Sequence, residues 1–195
     1  TAERLAKGGF EIQGTFLLEN EEFDGAFSAT RFGDGQLVVR GGKPPRLWFI
    51  GSDGTFRPPL KTPDVLQADP IQLASGIVLP LPGRLALINK TTGVKAAEDL
   101  IITLGQAAAS FRWVSLLPMD DTQFIALTDA GQVLRVQFRS GSPSSLAIVS
   151  QKKLEQPVNM PLAVGGGRVV LVDASPKLML LDANDFAPQR EYPLS

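Results

Sequence analysis

The chain predicts an all-β fold, a β-propeller of about four blades, each a four-stranded antiparallel sheet, and three observations carry that prediction. The stretch 158–194, VNMPLAVGGGRVVLVDASPKLMLLDANDFAPQREYPL, reads as one complete four-stranded unit. Weaker copies of it recur upstream at roughly 40 to 48 residues, the period of a propeller blade. The 19 glycines and 15 prolines lie between apolar runs and not in one block, so they punctuate many short strands.

The last unit gives the template. Residues 158–163 form a short apolar strand, and Gly165, Gly166 and Gly167 reverse the chain where positive φ carries no steric penalty. Residues 168–173 (RVVLVD) are rich in β-branched side chains suited to a pleated, half-buried surface. Ala174, Ser175 and Pro176 make the second turn, because proline has no N–H for a ladder. Residues 177–182 (KLMLLD) are the third strand; after the loop around Asp185, residues 189–194 form a fourth, with a proline that an edge strand tolerates.

The remaining units follow in order. Residues 1–25 are a leader whose GTFLLE is strand-like, either the tail of an earlier unit or a strand that closes a ring. The first unit, 26–65, predicts strands at 26–32, 36–40, 46–50 and 55–60, with Gly33-Asp34-Gly35 as its first hairpin turn. The second, 66–110, predicts strands at 71–74, 77–81 and 84–89; its end is ambiguous, because Ala97, Leu100, Ile101, Leu104, Ala107 and Ala108 fall at helical spacing. The third, 111–155, predicts strands at 113–117, 122–128, 132–138 and 146–150, and the fourth is 156–195. Aligned at their third strands, the units read RLWFIGSDG from Arg46, RLALINKTTG from Arg84, QVLRVQF from Gln132 and KLMLLDAND from Lys177.

Composition excludes several functions. A net charge of −1 supplies no attraction for nucleic acid or anionic membrane, so neither is an expected partner. The absence of histidine removes Ser-His-Asp and Cys-His nucleophile systems and histidine zinc sites, and the absence of cysteine removes disulfides and thiolate metal sites. No apolar run approaches 18 residues, and the opening TAERLAKGGF lacks both a signal-peptide core and an initiator methionine, as expected of a processed or excised part of something longer.

The segments RLALINKTTGVK (84–95) and KLMLLDANDFAPQREY (177–192) resemble the tail of quinoprotein-like repeats, the pyrroloquinoline-quinone-type β-propeller family. That resemblance implies inner strands lining a channel, and it favours a bacterial, periplasmic or extracytoplasmic setting. Catalytic members of that family hold a quinone and calcium with acidic, asparagine and often vicinal cysteine residues, a constellation that maps onto no residues here. Many relatives are assembly scaffolds, so the resemblance implies a non-catalytic member with no cofactor.

No residue stands out as catalytic, cofactor-binding or metal-ligating. Asp34-Gly35, Asp53-Gly54 and Asp129-Ala130-Gly131 contain carboxylates that calcium takes, but aspartate before glycine is ordinary hairpin-turn chemistry. Asp120-Asp121 and Asp182 with Asp185 offer closer carboxylates in what read as solvated loops. Gly42-Lys43 lacks the upstream glycine of a phosphate loop and is followed by Pro44. The interaction candidates are Trp48 and Trp113, as surface anchors or as core residues, and Arg46, Arg84 and Arg168, which begin strands in three units and either meet an anionic ligand or are solvated strand ends.

The expected function is a scaffold that presents loops and blade edges to a protein partner. The alternative is a ligand-binding or enzymatic propeller using acidic residues of the channel, with calcium or a quinone. Four blades in an open row leave apolar end faces, so either the ring closes within the chain or another segment or subunit completes it.

Overall fold

The computed structural model describes residues 28–103 and 111–194. Its sixteen strands fall into four antiparallel sheets of four, each a meander in chain order. The first sheet holds β1 (Ser28–Arg31), β2 (Leu37–Gly41), β3 (Arg46–Ile50) and β4 (Phe56–Lys61); the second holds β5 (Ile71–Leu73), β6 (Gly76–Leu81), β7 (Arg84–Ile88) and β8 (Leu100–Ile101). The third holds β9 (Trp113–Pro118), β10 (Gln123–Thr128), β11 (Gln132–Arg139) and β12 (Ser145–Lys153); the fourth holds β13 (Val158–Gly165), β14 (Arg168–Asp173), β15 (Lys177–Asp182) and β16 (Pro188–Pro193). The first strands of successive sheets, β5, β9 and β13, pack on one another. These are the innermost strands, and the all-β, propeller-type architecture expected from the repeat is the one observed.

Local chemistry fixes the hairpins. Gly76 opens β6 at φ 151°, and a Cβ there would lie 2.2 Å from the carbonyl oxygen of Ile88, so only glycine lets β6 and β7 close at that end. Asp53, Asp120 and Asp173 each accept backbone N–H groups two to four residues ahead, the side-chain turn that aspartate favours. Prolines sit where a missing N–H is harmless. Pro58 and Pro59 lie in β4 and Pro188 and Pro193 in β16, outer strands with one free edge. Pro80 lies in β6 beyond the reach of the three-residue β5, and its carbonyl accepts the N–H of Gln67 in place of a ladder partner.

The structure settles the end of the second unit, which the sequence left ambiguous. Despite the helical spacing between Ala96 and Ala109, Leu100 and Ile101 form β8, paired with Leu85 and Arg84 of β7. Completing the second meander satisfies backbone groups on the free edge of β7, and that tertiary demand outweighs the helical spacing. The rest of the suggested helix, and the leader with GTFLLE, lie outside the described residues.

Packing is face to face, with one apolar cluster in each joint between successive sheets. Val38, Leu47 and Phe49 of the first sheet meet Ile77, Leu79 and Ala86 of the second. Val78, Leu85 and Leu87 of the second meet Phe124, Ala126 and Leu134 of the third. Ile125, Leu127 and Val133 of the third meet Val169, Leu171 and Leu181 of the fourth, with Phe186 inserted from the β15–β16 loop. Middle sheets are therefore buried on both faces, which is why β6 reads GIVLPL with all six residues buried.

Candidate interaction surface

Antiparallel pairing places the loops on two opposite rims. The β2–β3, β6–β7, β10–β11 and β14–β15 hairpins share one rim with the connections between sheets; the first and third hairpins of each sheet share the other. Backbone bonds confirm the sharing: Thr62 donates to Pro45, Ile102 to Gly83, Leu154 to Gly131 and Ala174 to Pro157 on the first rim. On the second, Ala74 donates to Asp121 and Ala183 to Gly167.

This geometry separates the three arginines. Arg46 and Arg84 begin equivalent third strands on the first rim, whereas Arg168 begins a second strand on the other. Arg46 is half-buried and lines a groove of about 330 Å³ with Arg40, Lys43 and Thr62. Arg84 is 3.6 Å from Asp99, which Lys95 also meets at 3.0 Å. The Nε of Arg168 donates to Gln189 at 3.1 Å in a solvent-exposed contact across its own sheet.

Both tryptophans are inside. Trp113 is 2% exposed, its indole N–H donates to the carbonyl of Leu81 at 2.8 Å, and its ring meets Phe111 edge to face at 5.0 Å. It thereby locks the third sheet onto the second. Trp48 is 1% exposed and lies on the face of the first sheet turned away from the second, beneath the Gly42 turn; a Cβ on Gly42 would come within 2.8 Å of its ring.

Most of the carboxylates singled out from the sequence are spent on turns, whereas Asp129 accepts the N–H of Arg112 17 residues away at 2.8 Å. Asp53 is held below its ordinary pKa by the N–H and hydroxyl of Thr55. At Asp120 desolvation pushes upward, but the N–H and hydroxyl of Thr122 and the N–H of Gln123 outweigh it and the value falls. Asp34 shows the same balance, with the Gln36 N–H and the Lys90 ammonium at 3.2 Å lowering it; the Lys90 contact ties the second sheet to the first. Asp182 and Asp185 accept the N–H groups of Asn184 and Ala187. Among the described residues no group of three or more acidic side chains converges as a metal site would require.

Sequence reasoning missed the polar contacts that set the joints. Asp69, in the connection after β4, accepts from Ser28 at 2.6 Å and Arg40 at 2.8 Å, while Arg40 also donates to the Leu66 carbonyl. Arg135 reaches Asn184 of the fourth sheet at 2.7 Å. No local pattern marks these residues, since the partners through which they join sheets lie 26 to 49 positions away.

No family model matches the chain, and no curated protein sequence does. Solved structures do. BamB from Moraxella catarrhalis aligns over 89% of this chain and 52% of its own, with a TM-score of 0.59 and 16% identity. The WD40 β-propeller domain of Doa1 aligns over 84% and 52%, with a TM-score of 0.59 and 13% identity. A streptogramin B lyase aligns over 86% and 54%, with a TM-score of 0.59 and 13% identity. At such identities the likeness is one of fold, and the chain spans about half the length of these structures.

Proposed function

We propose that the chain is a non-catalytic propeller-type interaction module that presents its loops and blade edges to a protein partner. The observation that carries this reading is the local commitment of six aspartates. Asp34, Asp53, Asp120, Asp173, Asp182 and Asp185 all accept N–H groups of their own turns. Their lone pairs stiffen loops, and stiff loops on a sheet scaffold hold a binding surface with little entropy left to lose. BamB and the WD40 domain support the fold on which the reading rests; the lyase is by name an enzyme, and fold alone assigns neither role.

The quinoprotein-like reading of 84–95 and 177–192 belongs to this proposal. The first segment forms β7 and a compact turn in which the Asn89 side chain accepts the N–H groups of Thr91 and Thr92. A ligand-binding reading draws on one feature, a cavity of about 540 Å³ beside the third and fourth sheets with Lys152, Lys153, Glu155, Lys177 and Glu191 on its walls. A thermal-shift and absorbance screen with calcium, pyrroloquinoline quinone and simple sugars separates the two. The scaffold reading expects no saturable change in melting midpoint, and saturable stabilisation by any of these overturns it.

A further inference from the structure

We infer that the free edge of β12 is the docking site of the protein partner, and that the docking element is an extended acidic segment added to the third sheet as a fifth strand. The inference rests on the interaction-module reading and names the blade edge that is presented and the chemistry it takes. Each sheet ends outward in one strand with an unpaired edge, and such edges are either blunted or used. Three are blunted: β4 carries Pro58 and Pro59, β8 is two residues long, and β16 is bounded by Pro188 and Pro193. By contrast β12, SLAIVSQKK, has nine residues, the longest strand described, and no proline.

The edge already accepts a neighbour at one end. The N–H of Glu98 donates to the Ser144 carbonyl at 3.0 Å, and Glu98 forms a parallel bridge with Ser145 before the chain leaves for β8. Beyond that bridge, β11 is the one strand paired with β12 among the described residues. The Leu154 N–H donates to Gly131, on the β11 side, and residues alternate along a strand, so Gln151 and Lys153 turn their N–H and C=O groups away from β11. An added strand satisfies those groups, and Val149, 44% exposed, offers it an apolar contact.

Charge selects the occupant. Lys152 donates to the Phe186 carbonyl at 2.9 Å and Lys153 to the Ala130 carbonyl, both neutral acceptors. Among the described residues neither ammonium has an ion-pair partner, whereas Lys177, on the wall of the same cavity, is matched by Glu191 at 3.0 Å. Two uncompensated positive charges at adjacent positions favour a strand with acidic residues at that end and oppose a basic one. The same end opens into the cavity of about 540 Å³ beside the third and fourth sheets, which gives the side chains of such a strand room.

Fluorescence anisotropy of labelled peptides with the 195-residue chain tests this. The probes are about eight residues of alternating threonine and valine, the span of the edge, ending in two glutamates, in two lysines, or in two glutamates with the central backbone nitrogens methylated. The expected result is saturable binding of the first below about 1 mM, binding of the second weaker by about tenfold or more, and loss of binding of the third. Gln151→Pro removes an outward N–H that no ladder bond uses, and is expected to abolish binding with an unchanged far-ultraviolet spectrum. Lys153→Glu is expected to erase the preference for the acidic probe. No saturable binding, equal binding of acidic and basic probes, undiminished binding of the methylated probe, or a Lys153→Glu chain with its preference intact overturns the inference. So does a folded Gln151→Pro chain that binds as the parent does; should that chain fail to fold, the methylated probe makes the same test on the parent. None of these results bears on the ligand screen above, so the scaffold reading stands or falls separately.

Discussion

Replacing Trp113 with phenylalanine probes the joint between the second and third sheets at its most specific contact. The indole is 2% exposed and donates to the Leu81 carbonyl 32 residues away at 2.8 Å. Phenylalanine keeps the ring against Phe111 but removes the donor, and a buried acceptor left short of a partner costs roughly 1–3 kcal/mol. The smaller ring also gives up on the order of 40 Å² of apolar contact, about 1 kcal/mol. Together these predict a loss of about 2–4 kcal/mol, which with a denaturant slope near 2–3 kcal/mol/M lowers the urea midpoint by about 1 M. Circular dichroism across a urea titration reads the shift. A midpoint within about 0.2 M of the parent would mean that the bond from Trp113 to Leu81 does not hold the sheets together, and the account of that joint would be refuted.

Other perturbations follow the same logic. Gly76→Ala forces a Cβ onto the Ile88 carbonyl at φ 151° and is expected to cost at least about 2 kcal/mol, read as a lowered urea midpoint, whereas Gly83→Ala, whose Cβ meets nothing within 4 Å, is strained by its φ of 70° alone and costs less. Asp173 is buried; desolvation raises its pKa, but the Ser175 hydroxyl and the N–H groups of Lys177 and Ser175 more than offset this and the folded value lies below the ordinary one. Its contribution is therefore present above the unfolded pKa, near about 3.9, and lost as pH falls through the lower folded value. Asp173→Asn should flatten the acid limb of a stability–pH curve below about pH 4 and leave its shape near neutrality unchanged. Arg40→Ala removes contacts to Asp69 and the Leu66 carbonyl; because the Arg40 and Asp69 side chains are 26% and 45% exposed, the expected loss is only about 1 kcal/mol, partly screened by salt in a thermal melt.

The strands were legible because each turn has its own chemistry. RVVLVD and KLMLLD occupy β14 and β15 at the expected bounds, since Gly166 and Gly167 take φ of 56° and 71° before β14, and Asp173 fastens the turn after it. The short β8 stayed ambiguous because Ala97, Leu100 and Ile101 suit a helix locally, and only the open edge of β7 makes Leu100 and Ile101 a strand. The interaction candidates illustrate the same limit. Arg46, Arg84 and Arg168 look equivalent as strand starts, yet strand order within the meander puts Arg168 on the opposite rim.

From the sequence alone came the four-repeat rhythm, the strand order in every repeat but the end of the second, and the positions of most reversals, all properties of contacts made within some 40 residues. Tertiary structure decided which alternating set faces which neighbour, because both faces of a middle blade are apolar and a run such as GIVLPL carries no mark of direction. It also decided that Trp113, Arg40, Asp69 and Arg135 join sheets, since a hydrogen bond between residues 29, 32 or 49 positions apart exists only once the sheets have stacked.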